Sequence, residues 1–261
     1  MNMDINFLSS QLITAVFISA AASLLGVFAI LKRMSLVGDA LSHVALPGIA
    51  LAIFFKINPF IGVLLFLLVA TVGIWLLEYK SSLSVDTLVG VFFTASLAIG
   101  SLFISEFELL EALFGDISKI TFFDMVLSVA LSIFLIVFLL VIHKKLALHM
   151  VSRDLASSIG INSKQLELVY LLLFALAVAL GFKFVGALLM GALIIIPAAA
   201  AKNICRSLNG FMLTSVIFGV VSAIAGVYLS DFYGYPAGPV FILASVAIFI
   251  ISLGWRAVFK K

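Results

Sequence analysis

The chain has 261 residues, 65% of them hydrophobic and 10% charged, with a net charge of +3 and one cysteine, Cys205. Soluble domains carry about a quarter charged residues, so this composition excludes a soluble globular protein and leaves an integral membrane protein. Apolar runs near the length of a spanning helix point to an all-α bundle rather than a β-barrel, and a single cysteine excludes an intrachain disulfide.

Nine apolar segments follow in chain order, at approximately 12–31, 36–55, 59–77, 86–105, 123–142, 166–182, 184–201, 211–229 and 237–254. The opening MNMDINFLSS has no basic region and holds Asp4, so the first segment reads as a retained span rather than a cleaved signal peptide. The sixth and seventh segments are parted only by a tight turn near Lys183, and the sixth is short, which gives eight or nine spans. Basic residues set the orientation, because cytoplasmic loops keep Lys and Arg. With nine spans, one side receives Lys32, Arg33, Lys80, Lys144, Lys145, Arg153, Lys164, Lys202, Arg206, Arg256, Lys260 and Lys261. The other receives only Lys56, Lys119 and Lys183. The rich side is the cytoplasm, and the C-terminus lies there.

The whole chain, 1–261, reads as a single transmembrane domain. The outer loop SEFELLEALFGDISK holds Glu106, Glu108, Glu111 and Asp116. That is either a solvated acidic face or a vestibule that concentrates cations. Small residues at helix-packing spacing, Ala187 with Gly191 and Gly219 with Ala223, allow close approach of backbones. The one long cytoplasmic segment covers 143–165.

The second apolar segment contains GDALSHVALPG, with Asp39 and His43 four residues apart. On a helix they share one face, one turn apart. In a helix beginning near Ser35, His43 lies roughly 12 Å along, near the middle of a ~30 Å hydrocarbon core. Ionisable groups at that depth are costly and mark function. Imidazole with carboxylate suits Zn²⁺ or Mn²⁺. The alternative makes Asp39 the N-cap of a helix starting at Ala40, with His43 a packed bundle histidine. Pro47 then kinks the helix one turn beyond His43, and Pro197 does the same ahead of the alanine run 198–201.

No G-x-x-x-x-G-K-[ST] phosphate loop occurs in the sequence, nor a catalytic Ser/His/Asp or Cys/His set. The chain is therefore not read as an enzyme, and ATP, if it drives the protein, binds another chain.

RMSLVGDALSHVALPGIALA (33–52) and KFVGALLMGALIIIPAAAAKN (183–203) resemble the signature segments of permease subunits from bacterial ABC importers for zinc, manganese and iron, the metal-specific ABC-3 permease family. VDTLVGVFF (85–93), LFGDI (113–117) and YPAGPVFILASVAIFIIS (235–252) are similar to further family segments in the same order. The resemblance covers essentially the whole chain and looks closest to zinc-uptake permeases.

It implies a permease fold like that of type II ABC importers, in the bacterial cytoplasmic (inner) membrane. It implies a homodimer, a cytoplasmic ATPase dimer that binds ATP, and an extracytoplasmic metal-binding protein, with no nucleic acid and no permanently bound cofactor. The transported ion is expected to be Zn²⁺, with Mn²⁺ or Fe²⁺ as alternatives. The family's pathway ligands fall on Asp39 and His43. SRDLASSIGINSKQ is similar to the family's coupling segment, about 150–165, and assigns Arg153, Asp154, Ala156 and Gly160 to contact with the ATPase. Pro47 and Pro197 are expected at gating or kink positions. A different reading makes the chain an ion-coupled secondary transporter with Asp39 and His43 as a proton relay.

The distribution of basic residues predicts the sidedness of each loop. Cysteines replacing Ser82, Ser157 and Ser207 should react with an impermeant thiol reagent only from the cytoplasm, and one replacing Ser118 only from outside. Labelling of position 157 from outside would reverse the topology.

Overall fold

The computed structural model describes residues 5–81, 83–103, 113, 115 and 121–259. The loop with Glu106, Glu108, Glu111 and Asp116 lies outside the described residues, as do Ser82 and Ser118. The described residues form helices joined by short turns and hold no strand. Nine stretches among them are long and apolar enough to cross a membrane.

Eleven described helices make up those stretches and the cytoplasmic segment. They are α1 (Ile5–Leu31), α2 (Val37–Val44), α3 (Leu46–Phe54), α4 (Pro59–Ser81), α5 (Val85–Phe103), α6 (Phe122–Val151), α7 (Arg153–Ser158), α8 (Ser163–Val185), α9 (Met190–Ile204), α10 (Leu208–Tyr233) and α11 (Ala237–Phe259). A 3₁₀ turn, Ala187–Leu189, joins α8 to α9.

Helix α1 is the central post. Its spanning stretch is 78% buried, against 17% for the outward-facing α6. It packs on α6, α9 and α10, because its inner faces carry small residues. A Cβ on Gly219 of α10 would lie 2.9 Å from Ser23 Cβ, so only glycine fits that crossing. Ser19 Oγ donates to the Gly219 carbonyl and Ser215 Oγ to the Ser23 carbonyl, each at 2.7 Å. Interhelical bonds of this type contribute about 0.6 kcal/mol each in a membrane. The small pairs seen in the sequence therefore serve close packing, and Ala198, Ala200 and Ala201 are buried within this one chain.

The second span is broken. Helix α2 stops at Val44 and α3 starts at Leu46, with Pro47 in its first turn. Proline has no N–H and its ring crowds the carbonyl four residues back, here that of His43. The chain tightens instead, and Ala45 N donates to the Ser42 carbonyl at 3.3 Å. Helix α9, by contrast, continues through Pro197.

The turn between the sixth and seventh spans falls at Gly186, three residues after the position read from the sequence. Lys183 remains in α8, and Gly186 adopts φ 80°, a region that glycine enters without strain. Segment 143–165, expected on the cytoplasmic side, is also more helical than a loop. Helix α6 has 30 residues and runs on to Val151. At about 1.5 Å per residue it outreaches a ~30 Å hydrocarbon core and carries His149 to the base of the bundle.

Candidate functional site

Helix α2 is positioned by a tight reversal after α1. Arg33 takes φ 60°, a conformation uncommon outside glycine, and Met34 N donates back to the Ala29 carbonyl at 3.0 Å. Helix α2 then begins at Val37, and Leu36 at its N-cap offers no side-chain bond. Asp39 sits inside the first turn rather than at the cap, so the carboxylate is not consumed by capping. His43 stands one turn further on, about 9 Å from the helix start at the standard rise.

Both side chains are half-buried. The His43 ring meets the edge of Phe93 from α5, with centroids 5.3 Å apart. Its Nδ1 is buried without a hydrogen-bond partner among the described residues. Buried polar nitrogens normally have a partner. Asp39 is held from behind by α9: a Cβ on Gly191 would lie 2.8 Å from Asp39 Cβ and 2.9 Å from its backbone N. Ser42, between the two, contacts the Ala187 carbonyl and the Asp39 carbonyl through its Oγ at 2.6 Å each. The two signature segments of the sequence thus meet directly, GDALSH of α2 against VGALLMG of the α8–α9 turn.

The arrangement offers one carboxylate and one imidazole on a single face. No group of three or more His, Cys, Asp or Glu able to hold a metal ion occurs among the described residues. Protein zinc sites usually take four ligands, and this face offers two.

The second set of sequence-assigned residues lies apart from the first, at α7. Ser152 caps this helix, accepting from Leu155 N at 3.3 Å. It ends in a glycine reversal, with Ile161 N bonded to the Ala156 carbonyl at 3.0 Å, Gly160 N to the Ser157 carbonyl at 3.1 Å, and Gly160 at φ 80°. This is the pattern of a Schellman cap. Asp154 and Gly160 are exposed, while Ala156 is fully buried and serves as the packing face of α7. Leu155 and Ile159 are large apolar side chains left exposed, which the sequence reading did not single out.

Arg153 points inward to a cluster that the sequence reading also missed. Its Nη2 donates to Glu78 Oε1 of α4 at 3.0 Å and to Glu167 Oε2 of α8 at 3.1 Å. His149 Nε2 donates to the same Glu167 oxygen at 3.0 Å, and Lys32 pairs with the other. Glu167 is fully buried. Burial pushes the Lys32 ammonium below its ordinary pKa, and the Glu167 carboxylate pulls it back up. A glutamate in the first turns of an apolar span was the available signal.

Residues 4–256 match the family described as the ABC 3 transport family. The chain belongs to that family, whose members are membrane-spanning permease components of transporters rather than enzymes. It is 34% identical to the high-affinity zinc uptake system membrane protein ZnuB of Haemophilus influenzae, over 93% of this chain and 95% of that one. It is 33% identical to the manganese transport system membrane protein MntC of Listeria monocytogenes, over 96% and 91%. Among solved structures it is similar to PsaBC from Streptococcus pneumoniae in complex with Fab, at 29% identity and a TM-score of 0.85 over 96% and 92% of the two chains. The fold is that of ABC metal-importer permeases, and the protein is a multi-pass protein of the bacterial inner membrane.

The contact at Gly191 makes a sharp prediction. Gly191→Ala should displace α2 at Asp39 and lower transport while the protein still inserts, since its new methyl has no space. Gly90→Ala, where nothing lies within 4 Å of the new carbon, should transport like the parent. Equal transport by both variants, measured against membrane expression, would disconnect the Gly191 contact from function.

Proposed function

We propose that this chain is the permease of an ABC importer that passes a divalent transition-metal ion into the cytoplasm, with Asp39 and His43 as its ligands in the pathway. The observation that carries the reading is the Asp39–His43 face, half-buried in an apolar bundle, with a buried His43 nitrogen left without a partner. Two copies related by a two-fold axis would bring together two carboxylates and two imidazoles. With neutral histidines that set carries two negative charges, which one divalent cation balances and without which the carboxylates would be costly in a dry bundle.

Zinc is the favoured cargo. Relatives named for zinc and for manganese are equally similar to the chain, so the preference rests on ligand chemistry. Nitrogen–oxygen sites bind Zn²⁺ more tightly than Mn²⁺ or Fe²⁺. Protonated His43 cannot bind metal, so uptake should fall at acidic pH.

The partners follow from the same reading: a second copy of this chain, an ATPase dimer on the cytoplasmic side and an extracytoplasmic metal-binding protein. Helix α7 is the ATPase contact. Its buried Ala156 seats it on the bundle, its exposed Leu155 and Ile159 offer an apolar surface, and Gly160 ends it sharply. The C-terminus lies on that side too.

Two experiments test these assignments. Asp39→Ala and His43→Ala should assemble with the ATPase yet lose zinc uptake in proteoliposomes by about tenfold or more. Asp39→Asn should be nearly as damaging, because the shape remains and the charge does not. Uptake should require ATP rather than a proton gradient, which separates this reading from a proton relay. Parental uptake by both alanine variants would sink the metal-site assignment. Leu155→Glu with Ile159→Glu should release the ATPase during purification of an otherwise intact permease. Retention of the ATPase at the parental ratio would move the contact elsewhere.

A further inference from the structure

We infer that Glu167 is the positioning residue through which the cytoplasmic helix α7 acts on α2, the helix that carries Asp39 and His43. The inference deepens the importer reading above and rests on its placement of α7 against the ATPase.

The geometry brings four elements to one carboxylate and links a fifth through Arg153. Glu167 belongs to α8. Lys32 bonds to it from the end of α1, His149 from the end of α6, and Arg153 from the first residue of α7, while Arg153 also bonds Glu78 of α4. Lys32 additionally lies over the buried Tyr170 ring, one turn along α8 and 5.2 Å from its centroid. Two carboxylates face one ammonium and one guanidinium, with His149 as a further donor, so the cluster needs no outside counterion.

Its two ends matter most. Arg153 is half-exposed and opens α7. Lys32 is nearly buried and opens the α1–α2 reversal, just before Arg33 at φ 60° and four residues before Leu36, the N-cap of α2. A displacement of α7 changes the bonds on Glu167, and a change at Lys32 reaches α2 through a short, strained turn. No apolar filler could do this. Replacing buried ion clusters by apolar residues is often neutral or stabilising, so stability alone gives little reason for five ionisable groups here.

The cluster also has room for a second arrangement. Glu78 Oε2, His149 Nδ1 and Tyr170 Oη are buried with no hydrogen-bond partner among the described residues. Buried polar atoms rarely stay unsatisfied. Their spare capacity lets Arg153 and Lys32 exchange partners when α7 moves, which supplies the two-state element that coupling between distant sites requires.

The test reads α2 directly and does not depend on cargo. In the permease–ATPase complex carrying Cys205→Ser, a cysteine is placed at Leu36, which is exposed at the start of α2. Its labelling rate is measured with and without ATP. Lys32→Met and Glu167→Gln are then added separately. Both side chains are too buried to touch the ATPase, so any effect must pass through the cluster. ATP should change the labelling rate in the parent. Each variant should shrink that change about tenfold, within the usual range of coupling between sites, while the complex stays assembled and hydrolyses ATP. An ATP response as large in both variants as in the parent would overturn the inference, as would a parent that shows none. Failure of both variants to assemble would make the cluster a structural staple and overturn it too. Zinc uptake by Asp39→Ala tests the metal-site reading separately, since labelling at Leu36 does not require metal.

Discussion

A polar group in a hydrocarbon bundle has no water to bind, and the structure is organised by that constraint. Serine hydroxyls answer it by bonding backbone carbonyls of the next helix, as Ser19, Ser42 and Ser215 do. Close backbone approach makes those bonds possible, and glycine makes the approach possible, at Gly219 against α1 and at Gly191 against Asp39. Charged groups face the same constraint at higher cost. Glu167 meets it inside one chain, with partners from three other helices. The buried Nδ1 of His43 has no hydrogen-bond partner among the described residues.

The break after Val44 separates α2 from α3. A continuous helix would fix the Asp39–His43 face relative to α3 and the outer half of the bundle. Pro47 removes one backbone bond, and α2 becomes an eight-residue unit. It is anchored by buried Val37, Leu41 and Val44, the Ser42 bond to the α8–α9 turn, the Gly191 contact, the Phe93 edge and the reversal at Arg33. The break uncouples the direction of α2 from that of α3.

Much of this was legible in the sequence, for a physical reason. A charge in an apolar run stands out against its background, so Asp39 and His43 could be singled out directly, as could nine apolar segments, read as eight or nine spans, and the break near Pro47. The turn at Gly186 was misplaced by three residues because Lys183 drew the boundary, whereas the conformation there depends on φ at a glycine. Ala156 was assigned to the docking surface but is buried, since one turn of a six-residue helix shows no periodicity in its letters. Phe93 and Gly191 could not be found at all. Each matters only through what lies opposite it in space, and one sequence carries no signal of that.

Glu167 is the instructive miss. It lies at the edge of a segment whose apolar run was drawn from 166 onward, where a carboxylate reads as a residue near water. The structure makes it fully buried, because α6 and α7 extend helically over the place where a loop was expected. Once His149 and Arg153 are carried there by those helices, the carboxylate is enclosed by donors instead of solvent. The position of a charge in the sequence therefore gives its distance along a helix, while its burial depends on what neighbouring helices cover. In this bundle the covering elements are α6 and α7, which the basic-residue distribution assigns to the cytoplasmic side. In the proposed importer the enclosed charge lies between α7, the proposed ATPase contact, and Lys32 at the turn that leads into α2.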